Sequence, residues 1–239
     1  MSISSHLQRI HNEIADACAR AHRDPSTVSL MAVSKMHPAE AILEAHAAGQ
    51  RLFGENRVQE WQAKLPLLHD LFDSTRSPSP AAQAHLIGPL QNNKTNKAAE
   101  IFQAVDTIDS FKTAERLNRA ATALNKTLPI LIEVKLSPEE TKHGVPPDQL
   151  PELIAQLAPL ANLRPTGLMT VPPWCTPEDA ETARPYFAHL RRLRDTLQPT
   201  HPTLTELSMG MTNDFPIAIE EGSTTVRIGT AIFGKRVYT

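Results

Sequence analysis

The chain has 239 residues, 41% of them hydrophobic, and this length suits either one barrel of roughly 250 residues or two small domains. Its formal net charge of -2, with lysine and arginine spread along the chain, argues against a basic surface for nucleic acid, so no nucleic-acid partner is expected. The N-terminus lacks the apolar core of a signal peptide, and no run reaches ~18 consecutive apolar residues. We therefore expect a cytoplasmic protein that does not enter a membrane.

The first predicted element is an amphipathic helix, for which Ser4 or Ser5 can provide the N-cap. Its apolar face consists of residues at helical spacing: Leu7, Ile10, Ile14, Ala17 and Cys18. This helix precedes the repeating pattern described next.

Eight short β-branched or apolar runs follow, each bounded by turn residues and most of them followed by a helix-like segment. The predicted strands are residues 28–34, 51–54, 84–88, 104–108, 129–134, 166–171, 206–209 and 224–229. The helix after the first strand is expected to begin at Pro38 and to stop at Gly49. The alternation favours a TIM-type (β/α)8 barrel, with an open doubly wound sheet as the alternative. Residues 1–239 are expected to form one domain, with surface loops at residues 74–83 and around Pro172, Pro173 and Pro177.

Lys35 follows the first predicted strand, where alternation places Met31, Val33 and Lys35 on one face. A lysine that projects into the mouth of a barrel is partly desolvated, which favours the neutral amine that attacks aldehydes. The alternative for a lysine at a strand end is that its side chain reaches out to water.

The last two predicted strands end at the corner where barrels of this type often bind phosphate. Ser208 begins a loop that also contains Gly210, and the eighth strand ends at Gly229 and Thr230. Both loops offer a hydroxyl for a phosphate oxygen and a glycine that allows close approach of the backbone. Taken singly, each loop also fits an ordinary turn with a helix cap.

Arg227 is predicted to face the barrel interior, because it alternates with Thr225 and Gly229. A buried guanidinium needs a partner, and an ion pair with an inward acid such as Glu133 is one solution. The other is that Arg227 donates to the pyridine nitrogen of a cofactor.

Two further polar residues lie at predicted strands. Asn56 follows the second strand and fits either a contact with a cofactor ring hydroxyl or, together with Glu55, a cap of the next helix. His85 in the third strand is interpreted as a core or rim histidine, because no metal-ligand spacing surrounds it. No metal site is expected.

Several blocks resemble the pyridoxal phosphate homeostasis proteins, the YggS/PROSC family. They run in order along the chain: LMAVSK at 30–35, FGENRVQE at 53–60, HLIGPLQNNK at 85–94, KHG at 142–144, GLMT at 167–170, LSMGMTNDF at 207–215 and VRIGTAIFG at 226–234. Ala84 departs from the family pattern, which usually has an aromatic residue there. Residues 74–83 look like a local insertion.

The resemblance implies a fold like the N-terminal barrel of alanine racemase. It also implies pyridoxal 5'-phosphate (PLP) held as a Schiff base on Lys35, with Asn56 at the ring and Arg227 at the pyridine nitrogen. Ser208, Gly229 and Thr230 would hold the phosphate.

The function implied by the resemblance is intracellular PLP homeostasis, in which the protein stores, delivers or buffers the cofactor without robust catalysis. PLP-dependent apo-enzymes are possible recipients, and a monomer is the simplest expectation. A racemase is the first alternative, but it needs a second base, and neither Tyr186 nor Tyr238 follows a predicted strand. The chain also ends nine residues after Thr230, which leaves no room for the second domain of alanine racemase. A Schiff-base aldolase is the other alternative, for which no paired acid and base groups are found around Lys35.

Overall fold

Eight parallel strands close into a barrel in the computed structural model, which describes residues 2–72 and 81–234. Each strand is hydrogen-bonded to its neighbours in sequence order, and the last strand pairs with the first. The strands are β1 (Ser29–Val33), β2 (Leu52–Glu55), β3 (Gln83–Leu86), β4 (Ala104–Ile108), β5 (Leu128–Glu133), β6 (Leu163–Met169), β7 (Glu206–Ser208) and β8 (Thr225–Ile228). The predicted (β/α)8 architecture is therefore confirmed, and the open doubly wound sheet is wrong.

Helices before, between and after the strands surround the barrel and contribute to a hydrophobic core that they share with the strands. In the described ranges they are α1 (Ile3–Arg20), α2 (Ala39–Ala47), α3 (Val58–Phe72), α4 (Thr95–Ile101), α5 (Phe111–Ala123), α6 (Leu150–Leu157), α7 (Arg184–Leu197), α8 (Phe215–Glu220) and α9 (Thr230–Phe233). Strands covered in this way are buried on both faces, and all five residues of β4 are buried.

Helix α1 is the predicted extra element, and all five residues of its predicted apolar face are buried. It packs against α2, α8 and α9, the helices that flank β1 and β8. The N-cap prediction is wrong, because the hydroxyl of Ser2 accepts the N–H of Ser5 and the helix therefore begins earlier. Ser4 and Ser5 lie within the first turn.

The bounds of several other elements differ from the prediction by a few residues. Pro38 has extended backbone angles and precedes α2 instead of opening it, whereas Gly49, with φ of 99°, lies just beyond the end of the helix as predicted. Strand β6 begins at Leu163, earlier than the predicted residue 166, and it includes Pro165. Pro165 is tolerated because the pairing register between β5 and β6 shifts directly after it.

The two predicted loops have different outcomes. Pro172, Pro173 and Pro177 lie in a segment without helix or strand, as expected. Of the other predicted loop, residues 74–80 lie outside the described residues, and the prediction ended too late because β3 begins at Gln83. Within the described residues, no helix has both the length and the apolar character needed to cross a membrane.

We expect the barrel to tolerate a methyl group at Gly54 far better than at Gly167. A Cβ atom on Gly167 would lie 2.1 Å from the backbone oxygen of Glu206, whereas one on Gly54 would meet the ends of the Ile87 and Met31 side chains at 2.8 Å. Backbone cannot move aside as a flexible side chain can. Gly167→Ala should therefore lower the free energy of unfolding by about 3 kcal/mol or more, and Gly54→Ala by about 1 kcal/mol. Urea denaturation measures the free energy of unfolding of both variants. Equal losses would contradict the expectation that Gly167 is the less tolerant position.

Candidate functional site

A cavity of about 510 Å³ opens at the carboxyl ends of the strands. Its walls come from the ends of β1, β2, β3 and β8 and from the loops that follow β6 and β7. Barrels of this architecture place their functional groups at this end, because the loops there vary independently of the barrel. Five of the six predicted site residues line the cavity: Lys35, Asn56, Arg227, Gly229 and Thr230.

Lys35 lies two residues beyond the end of β1 and lines the cavity together with Val33. The alternation predicted for this strand is visible in its neighbours. Leu30 and Ala32 belong to the core shared with the helices, whereas the sulfur of Met31 lies 2.8 Å from the position that a Cβ of Gly54 would take. The register of β1 thus directs Val33 to the cavity, and Lys35 lines it from the turn that follows the strand.

Arg227 is buried and forms the inner end of the cavity. Its Nη1 donates to the hydroxyl of Ser208 at 2.8 Å, and its Nη2 donates to the backbone oxygen of Thr170 at 2.9 Å. Thr170 is itself fixed, because its hydroxyl donates to the oxygen of Val134 at 2.8 Å. These bonds hold the guanidinium plane in one orientation at the cavity.

The charge of Arg227 is balanced without a direct ion pair. Desolvation lowers the pKa of its guanidinium, and the carboxylates of Asp106, Glu133 and Asp214 oppose this shift. Within residues 2–72 and 81–234, no carboxylate oxygen lies within ion-pair distance of Arg227, so the predicted pair with Glu133 does not form. Glu133 still acts on Arg227 through its charge.

Glu133 is buried at the end of β5, and its pKa is raised to about 7. Desolvation is the main cause, and the charge of Asp109 adds to it. Arg227 and Lys142 act in the opposite direction but do not overcome the desolvation. Glu133 is therefore a group that takes up a proton close to neutral pH.

Unlike Gly229 and Thr230, the other predicted phosphate ligands, Ser208 does not line the cavity. It is fully buried, and its hydroxyl accepts the hydrogen bond from Arg227. The part of its loop that does reach the cavity is the segment from Met211 to Asp214. The physical reason is that Ser208 is the last residue of β7 and points into the barrel below the rim.

The loops after β6 and β7 are joined by hydrogen bonds. Asn213 donates from Nδ2 to the backbone oxygen of Cys175 at 2.9 Å, and the thiol of Cys175 lies 3.8 Å from Oδ2 of Asp214. Oδ1 of Asp214 accepts the N–H of Met211 at 2.5 Å. Burial raises the pKa values of both Asp214 and Cys175. Hydrogen bonds thus connect the two loops that form this side of the cavity.

Asn56 lines the cavity at the end of β2, where its position depends on Gly88. A Cβ atom on Gly88 would lie 2.3 Å from the backbone oxygen of Asn56. Glu55 does not cap the following helix, since its Oε1 accepts from Ser34 and Lys64 and its Oε2 has no hydrogen-bond partner in the described part of the chain. The helix-capping interpretation of Glu55 is therefore wrong.

His85 lies at the opposite, amino-terminal mouth of the barrel. Its Nδ1 is 3.1 Å from Oδ1 of Asp106. Burial disfavours the imidazolium, but the charge and hydrogen bond of Asp106 outweigh burial and raise the pKa of His85. The histidine is satisfied within the barrel and does not reach the cavity at the carboxyl ends.

The sequence interpretation missed three features near the site. It did not single out Lys64 and Glu60, which hydrogen-bond to the backbone on either side of Lys35. It did not connect Cys175 with Asp214, nor did it place Trp174 at the cavity. The spacing of Glu60 and Lys64, four residues apart on a helix, was a readable signal but is more common on solvated surfaces.

The model of the alanine racemase N-terminal domain family matches residues 5–237. The pyridoxal phosphate homeostasis protein of Aquifex aeolicus (strain VF5) is 41% identical over 100% of both chains, and that of Vibrio cholerae serotype O1 is 43% identical over 100% of this chain and 98% of the relative. PipY of Synechococcus elongatus PCC7942, solved with PLP bound, is 42% identical with a TM-score of 0.82, covering 98% of this chain and 100% of that one.

Alanine racemase of Clostridium difficile 630 has a TM-score of 0.63 at 13% identity, over 94% of this chain and 56% of the racemase, and shares the fold alone. The closed barrel, with a lysine just beyond its first strand, defines a protein of the alanine racemase N-terminal-domain class. Within that class, the chain belongs to the family of pyridoxal phosphate homeostasis proteins. The resemblance drawn from the sequence blocks is thereby confirmed.

We expect Glu133→Gln to change the pH dependence of stability. A carboxyl group whose folded pKa is raised from 4.5 to about 7 contributes stability that is complete below the unfolded value and is lost as pH rises through 7. Glutamine does not titrate. The free energy of unfolding of the variant, relative to that of the wild type, should therefore rise by up to about 3 kcal/mol between pH 5 and pH 8. Urea unfolding at both pH values, without added ligand, measures this. Glu152→Gln on the exposed side of α6 is the control, and a pH-independent difference for Glu133→Gln would contradict the expectation.

Proposed function

We propose that the chain binds PLP in the cavity at the carboxyl ends of the strands and serves in intracellular PLP homeostasis, by storing, delivering or buffering the cofactor. The observation that carries this proposal is the convergence of Lys35, Asn56, Arg227, Gly229 and Thr230, from separate strand ends, on one cavity. The names of the relatives and the PLP bound in PipY support the same function.

The chemistry of the cavity fits the groups that PLP carries. Its volume of about 510 Å³ lies within the range of small-molecule sites. Lys35 offers an amine for the aldehyde, and the hydroxyls of Thr212 and Thr230 offer donors for phosphate oxygens. A Cβ on Gly229 would lie 3.1 Å from the oxygen of Val33, a tight contact that glycine avoids.

Lys35 would anchor the cofactor covalently, as a Schiff base. Its amine nitrogen adds to the aldehyde carbon and the aldehyde oxygen leaves as water, so the step needs neither oxidant nor reductant. Bound PLP supplies an electron sink when a protein uses it for catalysis. The remaining residues would bind and orient the phosphate and the ring.

Gly229 and Thr230 would hold the phosphate, with Thr212 from the facing loop. The role of Ser208 in the proposal is indirect, because its buried hydroxyl holds Arg227 in place. Arg227 would donate to the pyridine nitrogen and Asn56 to the ring hydroxyl. A guanidinium gives up no proton to the ring, so the ring nitrogen would stay unprotonated and the electron sink would be weak.

A holder of the cofactor, and not an enzyme that turns over substrate with it, fits these groups best. The homologous proteins are named for PLP homeostasis and not for a reaction. A racemase of the alanine racemase type needs a tyrosine at the cavity as its second base. Tyr186 lies on α7 and does not line it, and Tyr238 lies outside the described residues.

The remaining parts of the proposal concern the setting of the protein. We propose one PLP-binding barrel domain over residues 1–239, acting as a monomer in the cytoplasm. PLP-dependent apo-enzymes would receive the cofactor. The single closed barrel, whose strands run from β1 to β8, supports the single domain.

Lys35→Ala is expected to abolish covalent attachment of PLP. The wild-type protein mixed with PLP should absorb visible light, and borohydride should fix the cofactor on Lys35, as mass spectrometry of its peptides would show. Lys97→Ala, which removes an exposed lysine on α4, is the control and should behave like the wild type. A wild-type protein that stays colourless with added PLP would overturn the proposed function.

Thr230→Val is expected to weaken binding of PLP while leaving that of pyridoxal, which lacks the phosphate, nearly unchanged. Loss of a hydrogen bond to a charged group costs about 1.5–3 kcal/mol, or on the order of tenfold to a hundredfold in affinity. Ser208→Ala should weaken both ligands alike, because it removes an acceptor of Arg227. Fluorescence titration measures these affinities. A loss confined to PLP in Ser208→Ala would instead assign Ser208 to the phosphate.

A further inference from the structure

A buried ionic cluster lies behind the backbone of Lys35. The ammonium group of Lys64 on α3 donates to Oε1 of Glu55 at 2.7 Å, to Oε1 of Glu60 at 2.8 Å and to the backbone oxygen of Ser34 at 2.9 Å. Glu55 is fully buried and Lys64 nearly so, whereas Glu60 is partly exposed. All three donor positions of the ammonium are used.

This cluster holds the peptide groups on both sides of Lys35. Before it, the hydroxyl of Ser34 donates to Oε1 of Glu55 at 2.8 Å, and the oxygen of Ser34 accepts from Lys64. After it, the N–H of Met36 donates to Oε1 of Glu60. The residue between these two anchors is Lys35.

The backbone after Lys35 takes a conformation that needs such support. Met36 has φ of 61°, in the left-handed region that side-chain-bearing residues rarely adopt. Conformations of this kind cost on the order of 1–3 kcal/mol and persist only where surrounding contacts determine them. The contact from Glu60 to the N–H of Met36 is such a constraint.

Stability alone does not account for the cluster. Burial raises the pKa of Glu55 in spite of Lys64, and Oε2 of Glu55 has no hydrogen-bond partner among the residues that the structure describes. Buried ion pairs are often no more stabilising than apolar residues of the same volume. What this cluster supplies, and apolar side chains do not, is a set of directed hydrogen bonds to residues 34 and 36.

We propose that Lys64, Glu55 and Glu60 are positioning residues that hold the strand end so that the amine of Lys35 meets the aldehyde of PLP. This inference rests on the proposed function and adds the residues that decide how well Lys35 reacts. Asn56 directly follows Glu55, but the other groups that would contact the ring and the phosphate lie on β8 or follow β7 and β8, namely Thr212, Arg227, Gly229 and Thr230. The cluster should therefore affect covalent attachment more than non-covalent binding. Misplacement of a reacting group by about 1 Å costs on the order of a hundredfold.

The experiment compares two ligands on the full chain. PLP forms the bond to Lys35, whereas pyridoxine 5'-phosphate carries an alcohol in place of the aldehyde and reports the ring and phosphate contacts only. Lys64→Met should lower the affinity for PLP, and slow its trapping by borohydride, on the order of tenfold to a hundredfold. The affinity for pyridoxine 5'-phosphate should stay within about threefold of the wild type, a difference below 1 kcal/mol.

A pair of variants at Glu60, the least buried member of the cluster, tests whether its hydrogen bonds matter. Glu60→Gln keeps an oxygen that accepts from Met36 and Lys64, so it should retain most of the PLP affinity, whereas Glu60→Ala should lose it. This pair also decides the question if Lys64→Met does not fold. Lys126→Met is the control, because Lys126 donates to two backbone oxygens of the α4 region and does not line the cavity.

The outcomes separate three cases. Selective loss of PLP in Lys64→Met and Glu60→Ala, with recovery in Glu60→Gln, supports the proposal. Unchanged PLP binding, or equal loss of both ligands in step with thermal stability, overturns it. A wild-type protein that binds neither ligand overturns the proposed function itself, which is a different result.

Discussion

Closure of the barrel between β1 and β8 is the constraint on which the rest of the structure depends. These strands are separated by almost the whole chain, yet their pairing sets Met31 opposite Arg227. Because the pairing is parallel, residues that follow each strand arrive at the same end of the barrel. Lys35, four positions after Met31, and Gly229, two positions after Arg227, therefore line one cavity. Helix α1 supports the pairing of β1 with β8 by packing against α2, α8 and α9, the helices next to these two strands.

The protein buries charged groups inside the barrel and between the barrel and α3, and each is stabilised in a different way. Arg227 cannot give up its proton, so fixed acceptors on Ser208 and Thr170 and three carboxylates at longer range support its charge. Glu133 can take up a proton, and burial raises its pKa to about 7. Lys64 and Glu55 neutralise one another through direct contact. Arg227 lines the cavity, so a charged ligand bound there would alter this balance of charges.

Local sequence patterns predicted the helices and strands well. They did not predict features that depend on a contact with a distant, buried part of the chain. The apolar face of α1 and the bounds of β4 follow from hydrophobic periodicity, and the structure has both. Strand β6 runs through Pro165 because a register shift with β5 makes its missing N–H harmless, and that shift is invisible in the sequence of β6 alone. The phosphate role of Ser208 stays a prediction, but the hydrogen bond that its hydroxyl accepts from Arg227 is a contact that the sequence does not show.

The sequence by itself determined the barrel, the side of β1 that carries Lys35, and the family, because hydrophobic alternation and short motifs are local properties of the chain. Only the tertiary structure decided which polar groups meet: Arg227 with Ser208 and not with Glu133, and Lys64 with the backbone on either side of Lys35. The physical reason is that a buried polar group must find its partner among atoms that barrel closure brings near. Those neighbours come from distant strands, and a single sequence does not say which of them arrive within hydrogen-bonding distance.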